Sequence, residues 1–108
     1  MIFFSNKPIS DFIVEFEAVE NEISIGKCLL DLSDKIADVT ELTYSEECPY
    51  VVEGLLRSAY NYAGIKGCYM ASCSARGIDA FLDRMNFQKQ QNKYIGDIPS
   101  ILMGSCCK

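Results

Sequence analysis

Between residues 12 and 19 the chain alternates, with Val14, Phe16 and Ala18 apolar against Glu15 and Glu17. This period of two predicts a strand with one face buried and the other in water. Glu20, Asn21 and Glu22 form a tight turn. Residues 23–32 then resume with Ile23, Ile25, Cys28, Leu30 and Leu32, the phase slipping by one near Gly26 as it does at a bulge. The two runs predict an antiparallel hairpin. Ser33, Asp34 and Lys35 make the next turn, and residues 36–44, with Val39 and threonines suited to a pleated surface, predict a third strand. Residues 1–11 carry Asn6, Lys7, Pro8 and Ser10 and read as a turn-rich lead-in.

The period then changes. Val52, Leu55, Leu56, Ala59 and Ala63 recur at helical spacing, Pro49 suits a first helical turn, and Glu46 and Glu47 complement the positive end of the helix. Gly67 is placed to end this helix as a left-handed cap. The short apolar run 68–73 predicts a buried central strand, parallel to the strand before the helix and reached by a right-handed crossover. Ile78, Phe81, Leu82 and Met85 predict a second amphipathic helix over about residues 75–85, capped by Ser74 and stopped at Asn86. Residues 88–103 read as one or two ragged strands or a short terminal turn. An antiparallel meander feeding a βαβ crossover defines an α/β fold of the α+β kind, a mixed sheet with helices against it.

At 108 residues the expectation is one domain over residues 1–108, and 49% hydrophobic residues suffice for a core. A domain of this size leaves apolar surface that a second copy can cover, so a homodimer is expected. A net charge of −5 with scattered basic residues argues against nucleic acid as a partner. The absence of an 18-residue apolar run or a signal peptide argues against a membrane, and the expected location is the cytoplasm. Cys28, Cys48, Cys68, Cys73 and the pair Cys106 and Cys107 show no C-x-x-C spacing and read as free thiols. Cys73, at the end of the central strand, is a candidate nucleophile by place, but with no histidine to activate it the buried-thiol reading is preferred.

Two stretches carry a resemblance. Residues 55–63, Leu-Leu-Arg-Ser-Ala-Tyr-Asn-Tyr-Ala, and residues 80–87, Ala-Phe-Leu-Asp-Arg-Met-Asn-Phe, resemble helical segments of the GNAT N-acetyltransferase superfamily. Their order on the strand pattern resembles the family's second to fourth strands, third helix, fifth strand and fourth helix, over residues 12 to about 95. The family's first two helices are expected to be absent or reduced, with the acceptor side of the cleft open or completed by a partner chain.

The resemblance implies acetyl-CoA or another acyl-CoA as the donor and an amine as the acceptor. It points to Glu41 as the carboxylate that accepts the amine proton, with Asp38 as the alternative, and a solvated strand-face acid is the competing reading. It assigns cofactor contacts to Leu42 and Tyr44 on the strand and to Tyr50, Val51, Val52 and Gly54 at the helix start. No metal is implied. In the family the turn before that helix follows a Q/R-x-x-G-x-G/A pattern, whose glycines let backbone amides reach a pyrophosphate. Residues 46–54 depart from it: the arginine and first two glycines are replaced, carboxylates crowd the anion's place, and Pro49 removes one donor. The family's leaving-group tyrosine and its upstream asparagine fall at Leu82 and Ala75, leaving Tyr44 or Tyr94 as substitutes.

Two functional readings follow. One is an acyl-CoA-dependent N-acyltransferase; the other is a catalytically inactive binding or dimerisation module on the same fold. A third, a redox or metal-responsive cysteine protein, ranks below both.

Overall fold

The computed structural model describes residues 1–104, and the pair Cys106 and Cys107 lies outside the described residues. Seven strands, β1 (Ile2–Pro8), β2 (Ile13–Glu20), β3 (Ile23–Asp31), β4 (Ile36–Tyr44), β5 (Met70–Cys73), β6 (Gln88–Gln90) and β7 (Lys93–Asp97), form one sheet in the order β1-β2-β3-β4-β5-β7-β6. Three helices lie among the described residues: α1 (Val51–Ile65), α2 (Asp79–Arg84) and α3 (Ile98–Gly104). β4 and β5 are the parallel pair, joined through α1 as the crossover pattern requires, and the remaining neighbours are antiparallel.

The alternation in β2 has a direct physical counterpart. Val14, Phe16 and Ala18 are buried, and they face the same side as Cys28 and Leu30 of β3 and Val39 and Leu42 of β4. Onto this side α1 lays Val51, Val52, Leu55, Leu56, Ala59, Tyr60 and Ala63, all fully buried. Each large aliphatic side chain so removed from water contributes roughly 1.5–3 kcal/mol. The opposite side of β2–β4 carries Glu15, Glu17, Lys27, Leu29 and Glu41, none of them buried. The phase slip near Gly26 is a register shift opposite Ala18 and Val19. Gly26 itself lies under α1, where an added Cβ would stand 3.0 Å from Leu55 and Val51.

The structure differs from the sequence expectation in three places. The supposed lead-in is strand β1, paired without a break to β2 from Val14 to Glu20. α2 begins at Asp79 rather than near residue 75, because Ser74 does not cap it: its hydroxyl donates to Asp38 Oδ2 at 2.6 Å, and Gly77 turns the chain at φ +85°. The C-terminal stretch is a β6–β7 hairpin followed by α3. Gly67 does sit in the left-handed region at φ +101°, and Asn86 likewise stops α2 at φ 67°.

Candidate functional site

Two irregularities in β4 define the site. The first is a bulge: Leu29 faces Glu41 while Leu30 faces Val39, so Thr40 is an extra residue in the strand. The second is a parting of strands. β4 and β5 pair only from Ile36 with Met70 to Val39 with Cys73, while β4 continues to Tyr44 against β3 alone. At the apex the Val39 carbonyl accepts from the amides of both Ser74 (3.0 Å) and Ala75 (3.2 Å), which turns the chain after β5 away from β4. Along residues 40–44 one edge of β4 therefore has no strand partner among the described residues.

Asp38 holds that apex. Its Oδ1 accepts from the Ser72 hydroxyl at 2.9 Å and its Oδ2 from Ser74 at 2.6 Å, so both oxygens bind β5 and its exit loop. From the helix side, Tyr60 donates to the Ser72 carbonyl at 2.6 Å, and burial pushes its phenol well above the ordinary tyrosine value. The buried neighbours are also held neutral. Burial pushes the Cys73 thiol up to about 11 and the Cys28 thiol up to about 12, so neither is a thiolate at neutral pH. Cys48 and Cys68 are free as well, and among the described residues no three Cys, Asp or Glu side chains gather as a metal ion would need.

Glu41 stands on the exposed side of β4 just past the bulge, and its carboxylate makes no hydrogen bond or ion pair with the described residues. Glu41 and Leu42 line a cavity of about 140 Å³ with Glu15, Lys27, Leu29 and Thr43. Two sequence-predicted residues thus meet in one recess. Tyr44, half-buried, points the other way and packs edge-on against Phe81 of α2, ring centroids 6.3 Å apart. Tyr94 instead lines a separate hollow of about 330 Å³ with Cys73, Ser74, Asp79 and Lys89.

The helix start is built differently. Val51 N–H donates to the Cys48 carbonyl at 3.1 Å and Val52 N–H to the Pro49 carbonyl at 3.2 Å, while both side chains are fully buried. These two amides serve the turn that begins the helix. The Tyr50 hydroxyl donates to Cys48 Sγ at 3.3 Å and Glu20 Oε1 at 3.4 Å, and these contacts push its phenol up to about 12, the Cys48 bond most of all. Gly54 meets β1 rather than an open cavity: a Cβ there would stand 2.4 Å from the Phe4 ring. Its missing side chain makes room for the aromatic ring of Phe4, carried on strand β1. With the Val51 and Val52 amides engaged, Pro49 lacking an N–H, Glu20 at the Tyr50 hydroxyl and Glu46 and Glu47 in the preceding turn, this helix start does not fit a pyrophosphate. The edge of β4 does fit an extended amide-bearing chain, because its unpaired polar groups can pair with one.

A mixed sheet with a bulged fourth strand, a parted parallel pair and a helix in the crossover is the class of fold found in acyl-CoA N-acyltransferases. The chain has the GNAT acetyltransferase fold. It is similar to a probable acetyltransferase from Staphylococcus epidermidis (TM-score 0.72, 15% identity, 81% of this chain and 68% of that one). It is similar also to the PaiA N-acetyltransferase of Thermoplasma acidophilum in complex with coenzyme A (TM-score 0.66, 17% identity, 78% of this chain and 58% of that one). A third likeness is to E. coli YhhK bound to coenzyme A (TM-score 0.62, 19% identity, 83% of this chain and 75% of that one). No family model matches the sequence, and no curated protein matches it. No helix among the described residues is long and apolar enough to cross a membrane.

Proposed function

We propose that the protein is an N-acyltransferase that takes its acyl group from a pantetheine thioester such as acetyl-CoA and passes it to an amine. The observation that carries this reading is the free edge of β4 over residues 40–44, opened by the parting of β4 and β5 beside Glu41. The two amides of a pantetheine arm pair with that edge as an added strand would, which sets the thioester at the bulge. The amine nitrogen attacks the thioester carbonyl, the C–N bond forms, the C–S bond breaks, and Glu41 takes the proton the amine sheds. The thiolate leaves and is protonated from water, since Leu82 supplies no acid at the family's tyrosine position. The carboxylates of Glu15 and Glu41 outnumber the Lys27 ammonium in this recess, which favours an acceptor with a positive charge away from its attacking neutral nitrogen, by about 1 kcal/mol in water-like surroundings.

Because the helix start does not fit the phosphates, the donor is held by its arm, and its nucleotide contributes little. A second copy of the chain is the protein partner in this reading, and the cytoplasm its location. The test is calorimetry with acetyl-CoA and with S-acetyl-pantetheine, followed by thiol release in the presence of primary amines. Comparable binding of both donors and amine-dependent release support the proposal. Binding of neither overturns it and leaves the fold as an inactive binding or dimerisation module.

A further inference from the structure

The two edges of the sheet are unlike. β6 is three residues long, wholly exposed and polar, with Lys89 at its centre, the usual protection of an edge strand. β1 is seven residues long, pairs with β2 without a bulge, and exposes Phe3 (63%) and Phe4 (41%) on opposite sides of the sheet. Nothing between Ile2 and Asn6 guards it: no charge, no proline, no bulge.

The hydrogen-bond phase of this edge can be fixed. Ile9 N–H donates to the Ile13 carbonyl at 2.8 Å in the same register that sets Pro8 against Val14. Pairs alternate along an antiparallel ladder, so Lys7, Ser5 and Phe3 bond to β2, while Ile2, Phe4 and Asn6 turn their backbone groups outward. Pro8, which lacks an N–H, falls in the outward set, where it leaves the ladder intact.

We infer that this edge is a self-association surface, on which two copies pair β1 with β1 antiparallel about a two-fold axis at Phe4. The inference rests on the reading of a second copy as the partner, and it names the surface. In this register Phe4 faces the partner's Phe4 and Ile2 faces the partner's Asn6. The three pairs use every outward N–H from Ile2 to Asn6 and leave Pro8 outside the ladder. Shifting the register by two residues sets Ile2 against the partner's Pro8 and strands an acceptor. The even-numbered side chains lie on the α1 side, where a groove of about 270 Å³ between β1 and α1 opens beside Phe4 and Asn6, walled by Ser58, Asn61, Tyr62 and Ile65. The partner's Ile2 and Phe4 come to its mouth. A second copy is favoured over an unrelated strand because the donor pattern is self-complementary and the segment from Ile2 to Asn6 carries no charge to repel its own image.

Sedimentation velocity over a range of concentrations, with residue-resolved amide exchange, tests this. The expected result is a dimer in which the Phe4 and Asn6 amides are protected along with those of Phe3, Ser5 and Lys7. Asn6→Pro removes one outward donor without touching the β1–β2 ladder, and it weakens the dimer by about tenfold or more while the circular dichroism spectrum is kept. A chain that stays monomeric throughout overturns both the inference and the dimer reading. A dimer in which Phe4 and Asn6 exchange freely, or in which Asn6→Pro has no effect, overturns the surface alone.

Discussion

Residues 40–44 and residues 46–54 follow one another in the chain, and their backbones are built in opposite ways. The first stretch keeps a bulge and a free strand edge and leaves the Glu41 carboxylate in solvent. The second spends its amides on its own turn, buries Val51 and Val52, fills Gly54 with Phe4 and surrounds itself with carboxylates. In the proposed reading, the part of the site that handles a neutral arm is kept without the part that would handle its phosphates, because the two rest on different backbone groups.

The largest effect that separates the two stretches is chemical. Glu41→Gln keeps the shape of the recess and removes the proton acceptor. Amine-dependent thiol release should fall by about a hundredfold or more with donor affinity unchanged, and an unchanged rate would mean that the exposed carboxylate is only a solvated strand-face acid.

Gly54→Ala tests the second stretch. The added methyl collides with the Phe4 ring and should cost about 1–3 kcal/mol in denaturant unfolding while donor affinity holds. The reverse pattern, stability kept and affinity lost, would mark Gly54 as a phosphate glycine after all. Tyr60→Phe removes the bond that ties α1 to Ser72 at the apex and leaves that carbonyl one partner short. A loss of about 1–2 kcal/mol is expected, again by unfolding.

The same core responds to alkali. The buried Cys28 and Cys73 thiols are raised in the folded state, so the folded chain binds more protons than the unfolded one above the ordinary thiol value. Stability is therefore full below about pH 8.5 and declines from there toward pH 11–12. Cys73→Ala should flatten that decline in urea titrations run from pH 7 to pH 10. The smallest effect expected is at the helix start: Glu46→Gln with Glu47→Gln should raise acetyl-CoA affinity by no more than about fivefold and leave S-acetyl-pantetheine binding as it was.

What the sequence disclosed follows from where one face is buried and the other is not. β2, β3 and α1 were legible because burial on one side imposes a period of two or 3.6, whereas Glu41 and Leu42 were named from the resemblance alone, since the bulge at Thr40 breaks the alternation of β4 just before them. β1 was hidden. An edge strand exposed on both faces imposes no alternation, and Asn6, Lys7 and Pro8 carry turn chemistry; the adjacent Phe3 and Phe4 were the one available signal. The role of Gly54 was out of reach for the same reason, since its partner lies on that strand, fifty residues earlier. Ser74 was misplaced as a cap because a local rule competes with a contact to Asp38 that only the folded sheet creates.

The central claim is that a pantetheine thioester is held by the edge of β4 and not by the start of α1. Backbone amide chemical shifts followed during an acetyl-CoA titration test it most directly. The account predicts the largest shifts in residues 40–44 and at Ser74 and Ala75, with Tyr50, Val51, Val52 and Gly54 nearly still; shifts centred on those last four residues, or none anywhere, would contradict it.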